Sequence, residues 1–508
     1  MMINRLKNQY GDDFYNIIWL ISLYLIQGVP LGIVFGTIPF LLHKYASYTQ
    51  IGIFYCCTYP YSLKLLWSPI VDSYYHRDFG RRKSWIVPIQ IIAGIMLIIL
   101  SYFVDNLIEN SVDSIGTITI IFFTMIFFMA TQDIAVDGWA LTILDKKHLH
   151  LASTCQTIGL NLGYFLSYTI FLALSSPTFS NRYLRIEPQD EGIITLSGYI
   201  YFWGFVFIIV SLYLAKFKSE HHQNNSTQSV ITKESEDHQQ KQVEVEEEEV
   251  EDIDKLTPTQ VYKLLWKIIK LAHIKKMTLF FIISKIVFQV NESALSLKLI
   301  DRGLDKEYIS SFSILQFPCL LVFSVIINKF IKDRPLSMWV FGYSLGVILV
   351  FCNMLSVYMF PIDHVGWGYY LLLCLLSIST SLTGSLLMIS QTSYFLKISD
   401  KSIGGTYLTL CNTIANFAGT YPKIIILTLV DKLTTSKCII SLFDAEILEL
   451  GDISKELCTE KGGQYLIEND GYYPVAILSF LYGIFMVAIL YRYFIPLERI
   501  KIGNDMKK

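Results

Sequence analysis

The stretch that decides the fold reads Ala130-Thr131-Gln132-Asp133-Ile134-Ala135-Val136-Asp137-Gly138-Trp139. Apolar runs flank it on both sides, as expected for a helix that crosses a bilayer. Its two aspartates are four residues apart and therefore share one face of that helix. A charge in the hydrocarbon costs about 2.5 kcal/mol or more, so such residues normally face a protein-lined, water-accessible interior. The pattern predicts a transporter rather than a simple anchor.

The rest of the chain is equally apolar. Of its 508 residues, 53% are hydrophobic, a share that a soluble domain with a polar surface does not reach. Apolar segments of about 20 residues, each long enough to cross a bilayer as a helix, recur along almost the whole length. We count about twelve and predict an all-α, multi-pass membrane protein. The predicted spans are 17–42, 51–71, 85–104, 118–144, 152–174, 196–217, 277–299, 309–331, 338–359, 367–394, 404–430 and 473–495.

Basic residues indicate the orientation of these spans. They concentrate in alternate loops, for example Arg81, Arg82 and Lys83 after the second span and Lys146 and Lys147 after the fourth. Loops rich in Lys and Arg stay in the cytosol. We therefore expect both termini to be cytosolic.

A polar segment divides the chain into two halves. It includes the acidic run 244–249, which is too charged to bury and predicts a disordered cytosolic linker. The basic amphipathic stretch Pro258–Lys270 follows and is expected to lie on the inner membrane surface. We divide the chain into a six-helix bundle (1–217), the linker with its amphipathic helix (218–276) and a second six-helix bundle (277–508). This plan resembles the major facilitator superfamily.

The loop after the second span, 72–83, resembles the signature loop of that superfamily, with a short insertion. The resemblance implies that Asp72 docks against the start of the eleventh span, near Ser402 and Gly404, where backbone N–H groups attract negative charge. It also implies that Arg81 or Arg82 pairs with a carboxylate of the fourth span, so that the loop latches the cytosolic gate. The alternative is a cluster that merely follows the positive-inside rule.

The two aspartates of the fourth span have different expected roles. Asp137 lies nearer the predicted cytosolic end and is the better gate partner for the arginines. Asp133 is deeper, and three roles remain open for it: proton coupling, contact with the substrate, and an ion pair that ties helices together.

Three lysines interrupt apolar sequence: Lys64 in the second span, Lys285 in the seventh and Lys423 in the eleventh. Lysines so placed need a counter-ion or a wet cavity, and an anionic substrate could supply the counter-ion. The alternatives are that Glu292 or the aspartates of the fourth span neutralise them, or that Lys64 reaches the cytosolic interface.

Amide and hydroxyl side chains provide further candidate substrate contacts. Asn412 and Asn416 are one turn apart in the eleventh span, and Asn161 and Tyr164 lie in the fifth. Such groups could read an adenine edge or an amide-rich chain, or could equally bond neighbouring helices. Glycines of the first and fifth spans, such as Gly28, are better explained by close helix packing.

Two of the nine cysteines share one extracytosolic loop, Cys438 and Cys458. If this loop faces an oxidising compartment, the two could form a disulfide. No spacing of Cys and His suggests a metal site, and we expect no metal or other cofactor.

The chain resembles the acetyl-coenzyme A transporter family of the major facilitator superfamily. Six stretches carry the resemblance, in family order from the first span to the twelfth. They are 27–32, 62–72, 79–85, 130–139, 404–410 and 471–473. The family implies import of acetyl-CoA from the cytosol into the lumen of the endoplasmic reticulum, where it supplies acetylation. The acidic linker and the loop around Cys438 depart from the family pattern.

The expected function is therefore a non-enzymatic carrier in the endoplasmic reticulum membrane that uses alternating access. Its partners would be acetyl-CoA and the lipid bilayer, without nucleic acid, and a homo-oligomer stays open. The first alternative is a carrier of another bulky organic anion. An intramembrane acyltransferase would need a His or Cys base or nucleophile in the interior, and the histidines lie in loops or at span edges. A non-transporting scaffold gains nothing from buried charges unless they pair.

Overall fold

The computed structural model describes residues 7, 10–11, 13–76, 78–145, 147–148, 151–218, 258–331, 334–361, 365–398, 404–441, 447–451 and 464–496. Most of the acidic linker (219–257), together with Ser402 and Cys458, lies outside these ranges.

Twelve helical segments occupy the positions predicted for the spans, and we number them α1 to α12. In the first half they are α1 (Asp13–Leu42), α2 (48–73), α3 (Lys83–Ser101), α4 (Ser111–Ile143), α5 (151–175) and α6 (Leu196–Phe217). In the second half they are α7 (272–301), α8 (Lys306–Ile331), α9 (Pro335–Tyr358), α10 (Trp367–Ile398), α11 (404–433) and α12 (Tyr472–Phe494). Shorter helices are Val104–Glu109, Pro177–Tyr183 and Pro258–Lys270.

Within the described ranges, nine helices are long and apolar enough to cross a membrane, and a tenth span is formed if the bent α7 counts as one. The α2 segment is broken into three α-helical pieces joined by the 3₁₀ turns Tyr55–Thr58 and Lys64–Leu66. Pro60 and Pro69 lie at the starts of two of these pieces, and a proline lacks the N–H that would continue the helical hydrogen-bond ladder. The second span is therefore interrupted twice, and Lys64 is the first residue of the second 3₁₀ turn.

Helix α7 is bent by 42° between Ile274–Phe288 and Val290–Asp301. A 3₁₀ turn, Lys285–Phe288, lies on one side of the break, and a π turn, Val290–Ala294, lies on the other. Such departures from the α-helical ladder are common at functional sites. Lys285 begins the 3₁₀ turn and Glu292 lies in the π turn, so both belong to the irregular part of the helix.

Helices α1 and α5 pack through glycines, as the sequence predicted. A Cβ atom at Gly28 would lie 2.5 Å from the carbonyl oxygen of Leu160. A Cβ atom at Gly163 would lie 2.2 Å from the Leu25 carbonyl oxygen and 2.8 Å from the Gly28 Cα. Only glycine allows the two backbones to approach this closely.

Replacing Gly163 with leucine is therefore expected to destabilise the protein by about 2 kcal/mol or more, because the added side chain meets backbone that cannot move aside. The midpoint of thermal unfolding of the purified protein in detergent would fall. Gly116→Leu is the matched control, since no atom lies within 4 Å of its Cβ position in α4. Equal midpoints for the two variants would contradict the packing argument.

An aromatic cluster connects four helices of the second half. The ring of Phe281 in α7 lies 5.4 Å from Trp339 in α9, 5.5 Å from Phe395 in α10 and 5.6 Å from Phe494 in α12, measured between centroids. All four side chains are buried. Edge-to-face contacts of this kind add to the burial of large rings, so the cluster holds four helices together.

A small antiparallel sheet that the sequence did not predict follows α11. Its strands are β1 (Thr435–Ser441), β2 (Ile447–Gly451) and β3 (Gln464–Asn469), in the order β2-β1-β3. Lys437 pairs with Gly451 on one side and with Leu466 on the other. We call this end of the helices the sheet end and the opposite end, where α6 ends and Pro258–Lys270 begins, the linker end.

The two halves meet along α2 and α11. A Cβ atom at Gly52 would lie 3.2 Å from the Ile424 Cα and 3.4 Å from the Leu427 Cβ. Closer to the linker end, the hydroxyl oxygens of Ser62 and Thr420 are 3.0 Å apart. The part of α5 nearest the sheet end also packs against α8.

The amphipathic stretch Pro258–Lys270 is a helix with the predicted bounds. Its Leu265 and Ile268 side chains are buried, whereas Trp266 is 61% exposed. The hydroxyl of Tyr262 donates a 2.6 Å hydrogen bond to the carbonyl oxygen of Leu66 in α2. The helix thus connects the start of the second half to the first half at the linker end.

Candidate functional site

The deeper aspartate of α4 forms a buried ion pair with Lys64 of α2. The Asp133 side chain is 0% exposed, and one of its oxygens contacts the Lys64 Nζ. Its other oxygen accepts a 2.6 Å hydrogen bond from the Gln27 Nε2 in α1. Lys64 reaches Asp133 from the second 3₁₀ turn of α2. Side chains of α1 and α2 therefore both contact this carboxylate of α4.

Asp137, one turn away, shares the same lysine at a longer distance. The Lys64 Nζ lies 3.7 Å from an Asp137 oxygen. The other Asp137 oxygen accepts hydrogen bonds from the Tyr24 hydroxyl at 2.8 Å and from the Gln156 Nε2 at 2.9 Å. Unlike Asp133, the Asp137 side chain is 39% exposed. We call Lys64, Asp133 and Asp137 the carboxylate cluster.

The carboxylate cluster has the arrangement described by two alternatives, one raised for Lys64 and one for Asp133. Lys64 is neutralised by protein carboxylates in this conformation, and Asp133 ties α1, α2 and α4 together. A role for Lys64 in binding substrate therefore requires that the lysine leave its partners during the cycle.

Lys285 has a different environment. Its Nζ donates a 3.0 Å hydrogen bond to the carbonyl oxygen of Ala415 in α11. Within the described residues, no carboxylate oxygen lies within 4.0 Å of this Nζ. Glu292 is near enough to act on Lys285 electrostatically without pairing with it. The ammonium group keeps two N–H bonds for another acceptor.

Lys423 of α11 lies against aromatic rings of the first half. Its Nζ is 4.9 Å from the ring centroid of Tyr55 and 5.5 Å from that of Phe35. Ring faces attract cations at such distances. In the part of the chain that the structure describes, this lysine too has no carboxylate oxygen within 4.0 Å.

A cavity of about 100 Å³ lies beside these rings, at the interface between the halves. Phe35, Tyr55 and Tyr164 line it from the first half, and Glu292 lines it from α7. The Glu292 carboxylate accepts a 3.1 Å hydrogen bond from the Gln289 side chain. Tyr164, a predicted contact, thus shares one cavity with Glu292 and with the rings that face Lys423.

The predicted asparagines are more scattered. Asn161 is exposed, and its side chain bonds to the carbonyl oxygen of Thr157 at 2.7 Å. Asn416 is exposed and Asn412 is half-buried. Neither of these two side-chain amides forms a hydrogen bond with another described residue. Both amides can therefore still bind a substrate, and they lie on the same helix as Lys423.

The loop after α2 forms a compact arginine–aspartate cluster. An Arg82 nitrogen lies 2.5 Å from an Asp72 carboxylate oxygen, and the Arg81 Nε donates a 3.0 Å hydrogen bond to the Asp72 carbonyl oxygen. The Arg82 guanidinium lies against Gly138 of α4, where a Cβ atom would come within 2.3 Å of the Arg82 Cζ. The loop therefore contacts α4 through Arg82.

The partners differ from the expected ones. The resemblance paired an arginine of the loop with a carboxylate of α4, for which Asp137 was the better candidate, but the oxygens of Asp137 bond to Tyr24, Gln156 and Lys64. Asp72, expected to dock near Ser402, takes Arg82 as a partner. Ser402 lies outside the described residues, so that contact stays a prediction.

Sequence reasoning missed a polar network at the sheet end that joins the two halves. Asp301 of α7 bonds to the His43 Nε2 at 3.0 Å and to the Tyr48 hydroxyl at 2.9 Å, both in the first half. Lys298, which is almost fully buried, pairs with Asp470 at 2.6 Å and lies 3.6 Å from Asp301. The spacing of Lys298 and Asp301 by one helical turn was the available signal. We call these five residues the sheet-end network.

Cys438 in β1 is disulfide-bonded, and its predicted partner, Cys458, lies outside the described residues. Among the residues that the structure describes, no group of three or more His, Cys, Asp and Glu side chains is arranged to hold a metal ion.

Comparison with known proteins identifies the family. The sequence profile described as acetyl-coenzyme A transporter 1 matches residues 16–336 and 332–504, which is nearly the whole chain. The chain belongs to the acetyl-coenzyme A transporter family. A protein of Schizosaccharomyces pombe is 36% identical over 471 residues, covering 93% of this chain and 84% of that protein. An uncharacterized membrane protein of Saccharomyces cerevisiae is 34% identical over 518 residues, covering 92% of each chain.

Solved structures place this family member in the major facilitator fold. A bacterial homologue of the human lysosomal transporter Spinster superposes with a TM-score of 0.56 at 12% identity, covering 96% of both chains. At this identity the similarity concerns the fold alone. Together, the family and the fold establish a multi-pass membrane transporter, and the predicted all-α architecture is confirmed.

Proposed function

We propose that this transporter carries acetyl-CoA across the endoplasmic reticulum membrane, from the cytosol to the lumen, by alternating access. The observation that carries the proposal is the pair Lys285 and Lys423, two half-buried cations without a carboxylate partner in the described part of the chain. The phosphates of acetyl-CoA cannot enter hydrocarbon unaided, and these ammonium groups could offset their charge.

In this proposal the two lysines bind the phosphates. Lys423 lies at the interface between the halves, where a carrier holds its substrate, and Lys285 contacts α11, the helix that carries Lys423. Asn412 and Asn416 on the same helix as Lys423 would bond the adenine or the amides of the pantetheine arm. Tyr164 and Asn161 would contribute from α5, and Lys64 would join once released from the carboxylate cluster. No covalent chemistry is required of the protein, so we assign no enzymatic activity.

The two gates would lie at opposite ends of the interface. At the linker end, Asp72, Arg81 and Arg82 seat the loop on α4 beside Asp137. At the sheet end, Asp301 holds His43 and Tyr48 of the other half. Alternating access requires one set of contacts to break while the other forms. We expect the linker end, and with it both termini, to face the cytosol, because basic residues concentrate in the loops at that end.

Uptake of labelled acetyl-CoA by proteoliposomes that contain the full-length protein tests this proposal. We expect saturable uptake that free CoA inhibits and that unrelated anions do not. A muropeptide-like solute is included as a competitor, since another bulky anion is the main alternative. Preloading the vesicles with CoA distinguishes exchange from one-way transport. Uptake no greater than that of protein-free vesicles would refute acetyl-CoA as the substrate.

A further inference from the structure

The carboxylate cluster carries an unbalanced charge. Two carboxylates share one ammonium group, so the cluster has a net charge of −1 when all three groups are ionised. Taking an unpaired charge out of water is costly, and neutralisation by a proton is the usual remedy. The simplest neutral form of this cluster therefore contains one proton shared between Asp133 and Asp137.

Among the described residues, Lys64 is the cation that has a nitrogen within 4.0 Å of the Asp133 or Asp137 oxygens. Two tyrosines face the cluster. Tyr24 of α1 donates a hydrogen bond to Asp137. Tyr61 of α2 faces Asp133. From α5 the contact is the neutral amide of Gln156. Arg82 reaches α4 at Gly138, but it is bound to Asp72.

The three members of the cluster differ in exposure. Asp137 is 39% exposed and Lys64 is 18% exposed, whereas Asp133 is fully enclosed. Lys64 contacts both carboxylates. A proton from water can therefore bind at Asp137, and the Lys64 ammonium can shift towards whichever carboxylate stays ionised.

Gln27 supplies a second observation at the enclosed end. Its Nε2 donates to Asp133, yet its Oε1 is buried without a hydrogen-bond partner among the described residues. A buried unpaired acceptor is costly. A protonated carboxyl group is a donor, and rotation of the amide would let the oxygen of Gln27 accept its proton. Gln27 can thus serve both protonation states of Asp133.

We propose that the carboxylate cluster binds one exchangeable proton per transport cycle and thereby couples the movement of an anionic substrate to the movement of a proton. When a proton neutralises one carboxylate, Lys64 has a single remaining partner and can turn towards a phosphate group. The substrate and the proton then stabilise each other's binding, because coupling between two sites is reciprocal. The two would cross the membrane in the same direction. The identity of the anion rests on the proposed function, whereas proton binding does not.

Infrared titration of the purified protein without substrate tests proton binding directly. The wild-type protein should show a protonated-carboxyl band that disappears as the pH rises, and the band should be lost or displaced in Asp137→Asn. Asp105→Asn, at an exposed carboxylate next to α3, should leave it unchanged. In Lys64→Gln the band should persist to higher pH, because the ammonium that favours the ionised forms is gone. This second variant keeps the test valid if Asp137→Asn does not fold.

Proteoliposomes with a trapped pH dye test the coupling. Inward movement of acetyl-CoA should acidify the lumen of wild-type vesicles, and the ratio of protons to substrate should fall by about fivefold or more in Asp137→Asn, because the cluster then keeps one carboxylate permanently neutral. Asp105→Asn should keep the wild-type ratio.

The outcomes separate the two proposals. A titrating band that is the same in the wild type, Asp137→Asn and Lys64→Gln overturns proton binding by the cluster. Uptake of acetyl-CoA without proton movement in the wild type overturns the coupling. If acetyl-CoA does not enter the vesicles at all, the proposed function fails, and the substrate-free titration still decides whether the cluster binds a proton.

Discussion

Replacing Lys285 with alanine is expected to reduce acetyl-CoA uptake by about 30-fold or more, since removal of one member of a buried, hydrogen-bonded charge pair costs at least about 2 kcal/mol. The Nζ of Lys285 contacts only a carbonyl oxygen, of Ala415, among the described residues. Its charge is therefore available to a phosphate, and the loss should appear mainly in substrate binding. Initial rates over a range of acetyl-CoA concentrations, normalised to the protein present in the vesicles, provide the measurement.

Lys275→Ala is the matched control, because Lys275 is an exposed lysine earlier in α7 and its removal should leave uptake near the wild-type rate. Lys285→Arg keeps the charge and should retain more activity than Lys285→Ala. If Lys285→Ala and Lys275→Ala transport equally well, Lys285 does not bind the substrate.

A disulfide between positions 52 and 427 is expected to stop transport almost completely. A Cβ atom at Gly52 would lie 3.4 Å from the Leu427 Cβ, close to the spacing of about 3.8 Å typical of disulfides. The bond would join α2 of one half to α11 of the other near the sheet end, which must open if the halves rock against each other. Uptake by Gly52→Cys/Leu427→Cys is compared after oxidation and after reduction.

Reduction should restore the activity of the double variant, and oxidation should not affect either single variant. A second disulfide, Ser62→Cys/Thr420→Cys, uses positions whose hydroxyl oxygens are 3.0 Å apart and avoids the crowding at Gly52. Full transport by a protein that mass spectrometry shows to be crosslinked at either pair would argue against motion between the halves.

The features predicted well from the sequence are those with strong local patterns. Apolar length located the helical segments, the glycines of α1 and α5 indicated the close packing observed at Gly163, and the amphipathic pattern predicted the helix Pro258–Lys270 with its observed bounds. Buried charges pointed to Lys64, Asp133 and Asp137 before their contacts were known. In each case a residue that departs from the pattern would cost a large free energy at that position.

Features that depend on distant partners were not predictable in the same way. The pairing of Arg82 with Asp72 instead of Asp137 depends on Tyr24 and Gln156 occupying the Asp137 carboxylate. The sheet-end network joins residues about 250 positions apart in the chain, such as His43 and Asp301. A single sequence does not state which of several possible counter-ions lies nearest.

The contact of Lys423 with Phe35 and Tyr55 bears on how the carrier resets. The cation belongs to one half and the rings to the other, so the substrate-free protein can shield this charge without recruiting an acid. A lysine held in this way needs less from a bound anion between transport events than a bare ammonium group would. The aromatic contact thus stabilises one of the two lysines of the proposed site while no substrate is bound.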